Sequence, residues 1–261
     1  MQHDYNPEST IGRRGLILKM LDEHGQVNVA DLCAHFKVSA VTIRNDLSHL
    51  EQKKLLIRAR GGAIKTDKVT LDLKISGKQG VNVREKEAIG RRAARYVQEG
   101  DTIFIGSGTT TREMVHHLNR FNNLTVITNA LNIAGHLADM ERLTVIVPGG
   151  IMRHNILSLV GAMAIDNFKK FFCDKLFIAA DGIDVNLGLS SPDLEEAALN
   201  RTMIKMARKV IVVADSSKFG KRSLAVICGI SQIDVLITDS GLSVIAKEAL
   251  ENMGVEVVIA E

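Results

Sequence analysis

The sequence predicts an α/β protein in two parts: a small winged helix-turn-helix over residues 1–66 and a larger α/β domain over residues 83–261, with a linker at 67–82. Three observations carry this. Residues 25–63, GQVNVADLCAHFKVSAVTIRNDLSHLEQKKLLIRARGGA, read as two short amphipathic helices, a tight turn and a basic hairpin containing glycine. Beyond residue 83, seven apolar runs of strand length alternate with helical stretches, which argues for a mostly parallel sheet covered by helices. The chain has 261 residues, 46% hydrophobic and 24% charged, enough for one small core and one large one in an ordinary soluble protein.

In chain order, the first helix of the pair spans 29–35 and packs through Leu32, with Phe36 and Val38 after it and Cys33 as a small buried residue. Residues 37–39 make the turn. The second helix begins after Ser39, whose hydroxyl can cap the first turn, and runs from 40 to about 51. Ile43, Leu47 and Leu50 form its inward stripe, which sends Thr42, Arg44, Asn45, Ser48 and His49 outward. Arginine pairs bidentately with guanine and asparagine with adenine, so Arg44 and Asn45 are the candidate base readers. Ser39, Thr42 and Ser48 suit bases or phosphates. The alternation of LLIRARGGAI, broken at Gly61 and Gly62, predicts a wing that places Arg58, Arg60 and Lys65 near phosphate. Helix-turn-helix is also a common packing unit; the wing and its cations favour DNA. Residues 1–66 hold ten Lys or Arg against seven Asp or Glu, and the remainder holds twenty-three of each, so the net charge of +3 lies where DNA would bind.

Residues 66–82 show no sustained apolar period and lead into a helix at 83–98. The strands follow at 102–105, 124–128, 143–147, 175–180, 210–214, 235–238 and 255–259. Ligands of open α/β sheets sit beyond the carboxyl ends of the strands. There the chain is polar and rich in glycine. Gly106 to Thr111 reads GSGTTT before the helical REMVHHLNR, so Ser107, Gly108, Thr109, Thr110 and Thr111 can receive an anion on hydroxyls and backbone N–H groups. It matches neither a Walker sequence nor GxGxxG, which weighs against nucleoside triphosphates and dinucleotides. Asn129, then Gly149, Gly150 and Arg153, then Asp181 and Asp184, then Lys218 follow later strands, and Glu196 lies on a downstream helix with Glu195, Asn200 and Arg201. Hydroxyls, N–H groups and cations beside carboxylates describe a receptor for a phosphorylated sugar or sugar alcohol. Turn and cap chemistry around Gly182 would equally account for Asp181 and Asp184, and a solvated loop for Lys218.

The longest apolar runs fall short of the roughly 20 residues of a membrane span, and MQHDYNPEST is not signal-like, so the expectation is a cytoplasmic protein without a membrane partner. Cys33, Cys173 and Cys228 are an odd, widely spaced set with no CxxC, and the eight histidines are scattered; neither a metal nor a cofactor is expected.

VSAVTIRNDLSHLE followed by RARGGA resembles the DNA-binding signature of the DeoR family of bacterial sugar-responsive transcriptional regulators. SGTTT, TN, PGG, DGID, LEEA and DSSKFG occur in that family's order and approximate spacing, over about residues 13–259. The resemblance implies a sensor domain similar to ribose-5-phosphate isomerase that binds a phosphorylated intermediate and thereby relieves repression. RFNNLTVITN is similar in style to regulators of hexitol and amino-sugar use. Gly106 stands where the family often has Asp, and Asn45 where it often has a second Arg. The rival reading is a sugar-phosphate isomerase or deaminase with an N-terminal extension, using Asp181 and Asp184 as its carboxylates. Similar isomerases carry a lysine between that acidic turn and the downstream glutamate; VNLGLSSPDLEEA has none. A third reading, in which the large domain only oligomerises, leaves the polar strand ends unused. A single wing and helix read few base pairs, so a homo-oligomer, dimer or tetramer, on operator DNA is expected.

Overall fold

The structure, a computed structural model, describes residues 10–24, 26–52, 55–59, 61–64 and 75–261. The chain divides into two compact units, Met1–Val69 and Thr70–Glu261. The expected wing cations Arg60 and Lys65 lie outside the described residues.

In the first unit, α1 (Thr10–His24) precedes β1 (Gln26–Asn28), α2 (Val29–Phe36), α3 (Ala40–Gln52), β2 (Ile57–Ala59) and β3 (Gly62–Ile64). The Asn28 side chain accepts the Asp31 N–H at 2.8 Å and caps α2; the Ser39 hydroxyl accepts the Thr42 N–H at 3.2 Å and caps α3. Between the helices Lys37 takes the left-handed conformation, φ 54°. Ile17 and Leu21 of α1, Val29 and Leu32 of α2, and Ile43, Leu47 and Leu50 of α3 form one core with Leu56 and Ala63. Cys33, expected buried, is half-buried. The hairpin gains a strand that the sequence did not suggest. β1 pairs antiparallel with β3, and β3 with β2. Gly62 is required at this crossing, because a Cβ there would lie 2.1 Å from the Val27 carbonyl oxygen.

The second unit begins with α4 (Ile75–Gln79), a short helix inside the stretch expected to be linker. It continues as α5 (Val83–Ala94), β4 (Thr102–Ile105), α6 (Thr109–Val115), β5 (Leu124–Thr128), α7 (Leu131–Leu137), β6 (Leu143–Ile146), β7 (Ile151–Arg153), β8 (Ser158–Val160) and α8 (Ala162–Phe168). Then come β9 (Cys173–Ile178), β10 (Gly182–Asp184), β11 (Gly188–Ser191), α9 (Leu194–Lys205), β12 (Ala207–Val213), β13 (Ala225–Cys228), β14 (Val235–Asp239), α10 (Val244–Asn252) and β15 (Glu256–Ala260). α5 stops four residues before the expected helix end.

Among the described residues the main sheet has seven strands in the order β15-β14-β12-β9-β4-β5-β6, all parallel. The inner strands are buried on both faces over most of their length, so their successive apolar residues feed different cores, whereas the edge strands β6 and β15 are only partly buried. Phe104, Leu176, Ile178, Val210, Val212 and Leu236 pack on one side with Phe168 of α8 and Leu199 and Met203 of α9. Ile103, Ile105, Phe177, Ile211, Val213, Val235 and Ile237 pack on the other with α5, α6 and α7. α5 meets α6 at Gly90, where a Cβ would come within 2.6 Å of the Glu113 backbone. Two smaller antiparallel groups, β7-β8 and β10-β11-β13, lie apart from the main sheet.

The strand order fixes where a ligand can sit. From β4 the chain winds outward through β5 to β6, and then restarts on β4's other side at β9. The carboxyl ends of β4 and β9 therefore splay their connections in opposite directions and leave a crevice between them.

Candidate functional site

In the first unit the outer face of α3 is formed by residues spaced three and four apart. Arg44 and Asn45 are exposed, and Thr42 and Ser48 are half-buried. Val41, which sequence reasoning passed over, shares that face at 63% exposed. Its signal was the same spacing, 41, 44, 45 and 48, in an apolar residue. The Ser39 hydroxyl also lies 3.0 Å from the Thr42 hydroxyl, so the two form one polar corner at the helix start. Arg58 is not a free wing cation. Its Nη1 donates to the Ser48 hydroxyl at 2.8 Å and to the Arg44 carbonyl at 3.3 Å, and its backbone N–H donates to Glu51 Oε1 at 3.0 Å. β2 is thus laced onto α3.

Beneath that helix lies a charge cluster that was not anticipated. Asp46, 2% exposed, accepts Arg13 Nε at 2.6 Å on one oxygen and Arg14 Nε at 2.7 Å on the other. Two cations from α1 thereby fix the rotation of α3 about its axis. A carboxylate buried on α3 is tolerable only because both oxygens are paired.

In the second unit a cavity of about 50 Å³ lies at the crevice between β4 and β9. From the loop after β4 and the start of α6 it takes Ser107, Gly108, Thr109 and Thr110; from the loop after β9, Ala179 to Asp181; from α9, Glu196 and Asn200; and Lys218 from a short 3-10 turn after β12. α4 supplies Ile75 and Lys78. Gly108 is needed for closeness, since a Cβ would stand 2.9 Å from the Ala179 Cβ.

The electrostatics divide into partners already matched and one cation left over. Lys78 Nζ donates to Asp181 Oδ1 at 2.6 Å. Glu196 accepts the Ser107 hydroxyl on one oxygen and Arg153 Nη1 on the other, and Arg153 Nε lies 3.3 Å from Asp193. Burial pushes the Glu196 carboxyl up to about 7, outweighing the downward pull of Ser107 and Arg153. Asp193 also caps α9, accepting the Glu196 N–H at 2.8 Å. No carboxylate among the described residues lies within ion-pair distance of Lys218.

Several expected residues stand elsewhere. Asp184 accepts the N–H groups of Asn186 and Leu187 on Oδ1 and Arg222 Nε at 2.8 Å on Oδ2, so it braces the β10-β11 turn; the Arg222 bond, foremost, holds its carboxyl below the usual range. Thr111 is fully buried and donates back to the Gly108 carbonyl at 3.1 Å. Asn129 is fully buried and donates to the Leu159 carbonyl, tying β5 to β8. Gly149 and Gly150 have φ of 84° and 141°, and a Cβ on Gly150 would meet the Val160 carbonyl at 2.8 Å, so they turn and pack the chain. Arg153 stands behind Glu196 and outside the lining. Conversely, Lys78 and Ile75 were hidden in an apparent linker; of the four residues named on the downstream helix, Glu196 and Asn200 line the cavity.

No group of three or more His, Cys, Asp or Glu able to hold a metal occurs among the described residues. The three cysteines are free; burial pushes the thiols of Cys173 and Cys228 up to about 12 and 11. No described helix is long and apolar enough to cross a membrane.

Residues 13–69 match the family model of the DeoR-like helix-turn-helix domain, and residues 81–240 that of the DeoR C terminal sensor domain. The chain is 36% identical over 255 residues to the transcriptional repressor AccR of Agrobacterium fabrum, covering 97% of this chain and 98% of the relative. It is 34% identical over 248 residues to the HTH-type transcriptional repressor GlcR of Bacillus subtilis, covering 94% of each. Among solved structures, ribose 5-phosphate isomerase A from Methanocaldococcus jannaschii is similar at a TM-score of 0.39 and 15% identity, over 51% of this chain and 53% of that one.

Proposed function

Because this chain belongs to the DeoR family of DNA-binding transcriptional regulators, we propose that it represses a sugar or sugar-alcohol utilisation operon and leaves its operator when a phosphorylated sugar or sugar alcohol binds the crevice cavity. The observation that carries the effector reading is the convergence, at the sheet's switch point, of Lys218, Thr109 and Thr110 with Asp181 and Glu196. The first group suits a phosphate; the second accepts hydrogen bonds from sugar hydroxyls.

In this reading Arg44 and Asn45 contact base edges, Ser39, Thr42 and Ser48 contact bases or phosphates, and Arg58 holds the wing against α3. Arg60 and Lys65 serve phosphate contacts. A homo-oligomer, dimer or tetramer, grips repeated half-sites, since one module spans few base pairs. Residues 67–82 couple the two units. The effector acts only insofar as it binds the DNA-competent and released states with different affinity.

Recognition without turnover is supported by the fate of the second carboxylate. Acid-base isomerisation needs paired groups near the migrating proton. Asp184 is committed to Arg222 and its own turn. The decisive experiment titrates the purified chain with ribose 5-phosphate, glucose 6-phosphate, fructose 6-phosphate and galactosamine 6-phosphate by calorimetry, then repeats gel shifts on a DNA sequence selected from a random pool. Binding of one compound, with release of that DNA and no product formed, is expected; no binding across the set, or steady turnover, overturns the reading.

A further inference from the structure

The cavity's own ion pair occupies groups that a phosphorylated ligand would need. Lys78 and Asp181 both line it, their side chains are 17% and 22% exposed, and their contact is 2.6 Å. α4 is held so that Lys78 points there. The Ile75 N–H donates to the Asn155 carbonyl at 2.7 Å, and the buried Lys86 ammonium donates to the Lys78 and Val81 carbonyls, 2.6 Å each. Burial, foremost, lowers the pKa of Lys86, whose charge is spent on those carbonyls. Five residues contributing only two cavity contacts would be a poor reason for such anchoring if α4 were a passive connection.

A half-buried ion pair recovers little beyond its desolvation cost. A phosphate dianion offers the same ammonium two charges and several acceptors, but the exchange strips Asp181 of its cation, so it is favourable only when the same ligand donates a hydroxyl to that carboxylate. The exchange also releases a carboxylate oxygen inside the cavity.

We infer that Lys78 is an effector-binding residue that exchanges Asp181 for the phosphate of the ligand, joining Lys218, while the freed Asp181 accepts a sugar hydroxyl. This rests on the effector reading above and extends it to a residue in the connecting segment. It gives the ligand class two simultaneous requirements, a phosphate for Lys78 and a hydroxyl within reach for Asp181. Inorganic phosphate satisfies the first alone.

The test is calorimetric titration of the full-length wild type, Lys78→Gln, Lys78→Arg and Asp181→Asn with inorganic phosphate and the four sugar phosphates named above. Lys78→Gln should weaken the best sugar phosphate tenfold or more, and Lys78→Arg should keep it within about threefold. Asp181→Asn should bind inorganic phosphate severalfold tighter than wild type, its lysine being released, and lose the preference for sugar phosphate. Undiminished sugar-phosphate affinity in Lys78→Gln, or weaker inorganic phosphate binding in Asp181→Asn, overturns the exchange while leaving the effector reading intact. If the wild type binds none of the five compounds, the effector reading falls and this inference with it. Thermal unfolding of each variant by circular dichroism separates lost binding from lost fold.

Discussion

Replacing Asp46 by asparagine should unfold the DNA-reading unit while sparing the sensor unit. Asp46 and Arg13 have side chains 2% and 7% exposed, and removing one member of such a pair costs about 3–5 kcal/mol, because the survivor remains buried without compensation. Arg14, one quarter exposed, adds less. A unit of this size carries on the order of 3–10 kcal/mol in all, so the loss is comparable with the whole. The corresponding fall in melting temperature is at least about 12 °C. Differential scanning calorimetry is the first probe and should show the two units as separate transitions; the chain lacks tryptophan, so far-ultraviolet circular dichroism is the second. The transition of the first unit should shift or vanish and DNA binding should go with it, whereas that of the second unit stays in place. A double substitution, Arg13→Met with Asp46→Leu, should cost less than Asp46→Asn alone, since it leaves only the partly solvated Arg14. A shift below about 2 °C in Asp46→Asn, or a double variant less stable than the single, would refute the reasoning.

Arg44→Ala should lose about 1–3 kcal/mol of discrimination at one base pair, measured as relative affinities for single-base operator variants; uniform loss over all positions argues for a phosphate contact instead. Val41→Ala should weaken binding only where a thymine methyl meets Val41, so replacing that thymine by uracil should cost the wild type affinity and the variant none. The Glu196 carboxyl, raised from 4.5 to about 7 by burial, holds its proton more tightly folded than unfolded. The stability this gives is complete below pH 4.5 and is lost as pH rises through 7, on the order of 3 kcal/mol at most. Glu196→Gln should therefore flatten the pH 5–8 dependence of the sensor unit's melting temperature. Thr110→Ala and Lys218→Ala should keep DNA binding but resist release by the effector, which gel shifts at rising effector concentration read directly.

The main-sheet strands were legible because each contains an apolar run of strand length, longest in the inner strands, which are buried on two sides. The three-residue strands β7 and β10 were not: at that length there is no period, and their pairing depends on partners the chain reaches later. α1 escaped notice for a different reason. Its inward face includes Arg13 and Arg14, which are apolar neither in composition nor in pattern, and only the buried Asp46 across from them explains their direction. α4 read as linker because Ile75 is its one large apolar residue, and its purpose lies in a single ammonium. At strand ends sequence chemistry identified the right loops, with Ser107, Thr109, Thr110, Asp181 and Lys218 gathered at one cavity. It could not distinguish Asp181, which lines that cavity, from Asp184 three residues on, because a turn brace and a ligand contact use the same carboxylate.

One detail of the first unit bears on how any signal could reach DNA. Asn28 ends the strand that pairs with the wing and, with its side chain, starts the helix before the reader; Arg58 then ties the wing's other strand to the reader itself. Tooth and handle are cast together. In the proposed reading the effector then acts on the placement of this unit as one piece and not on the spacing of α3 and the wing strands, which these bonds hold together.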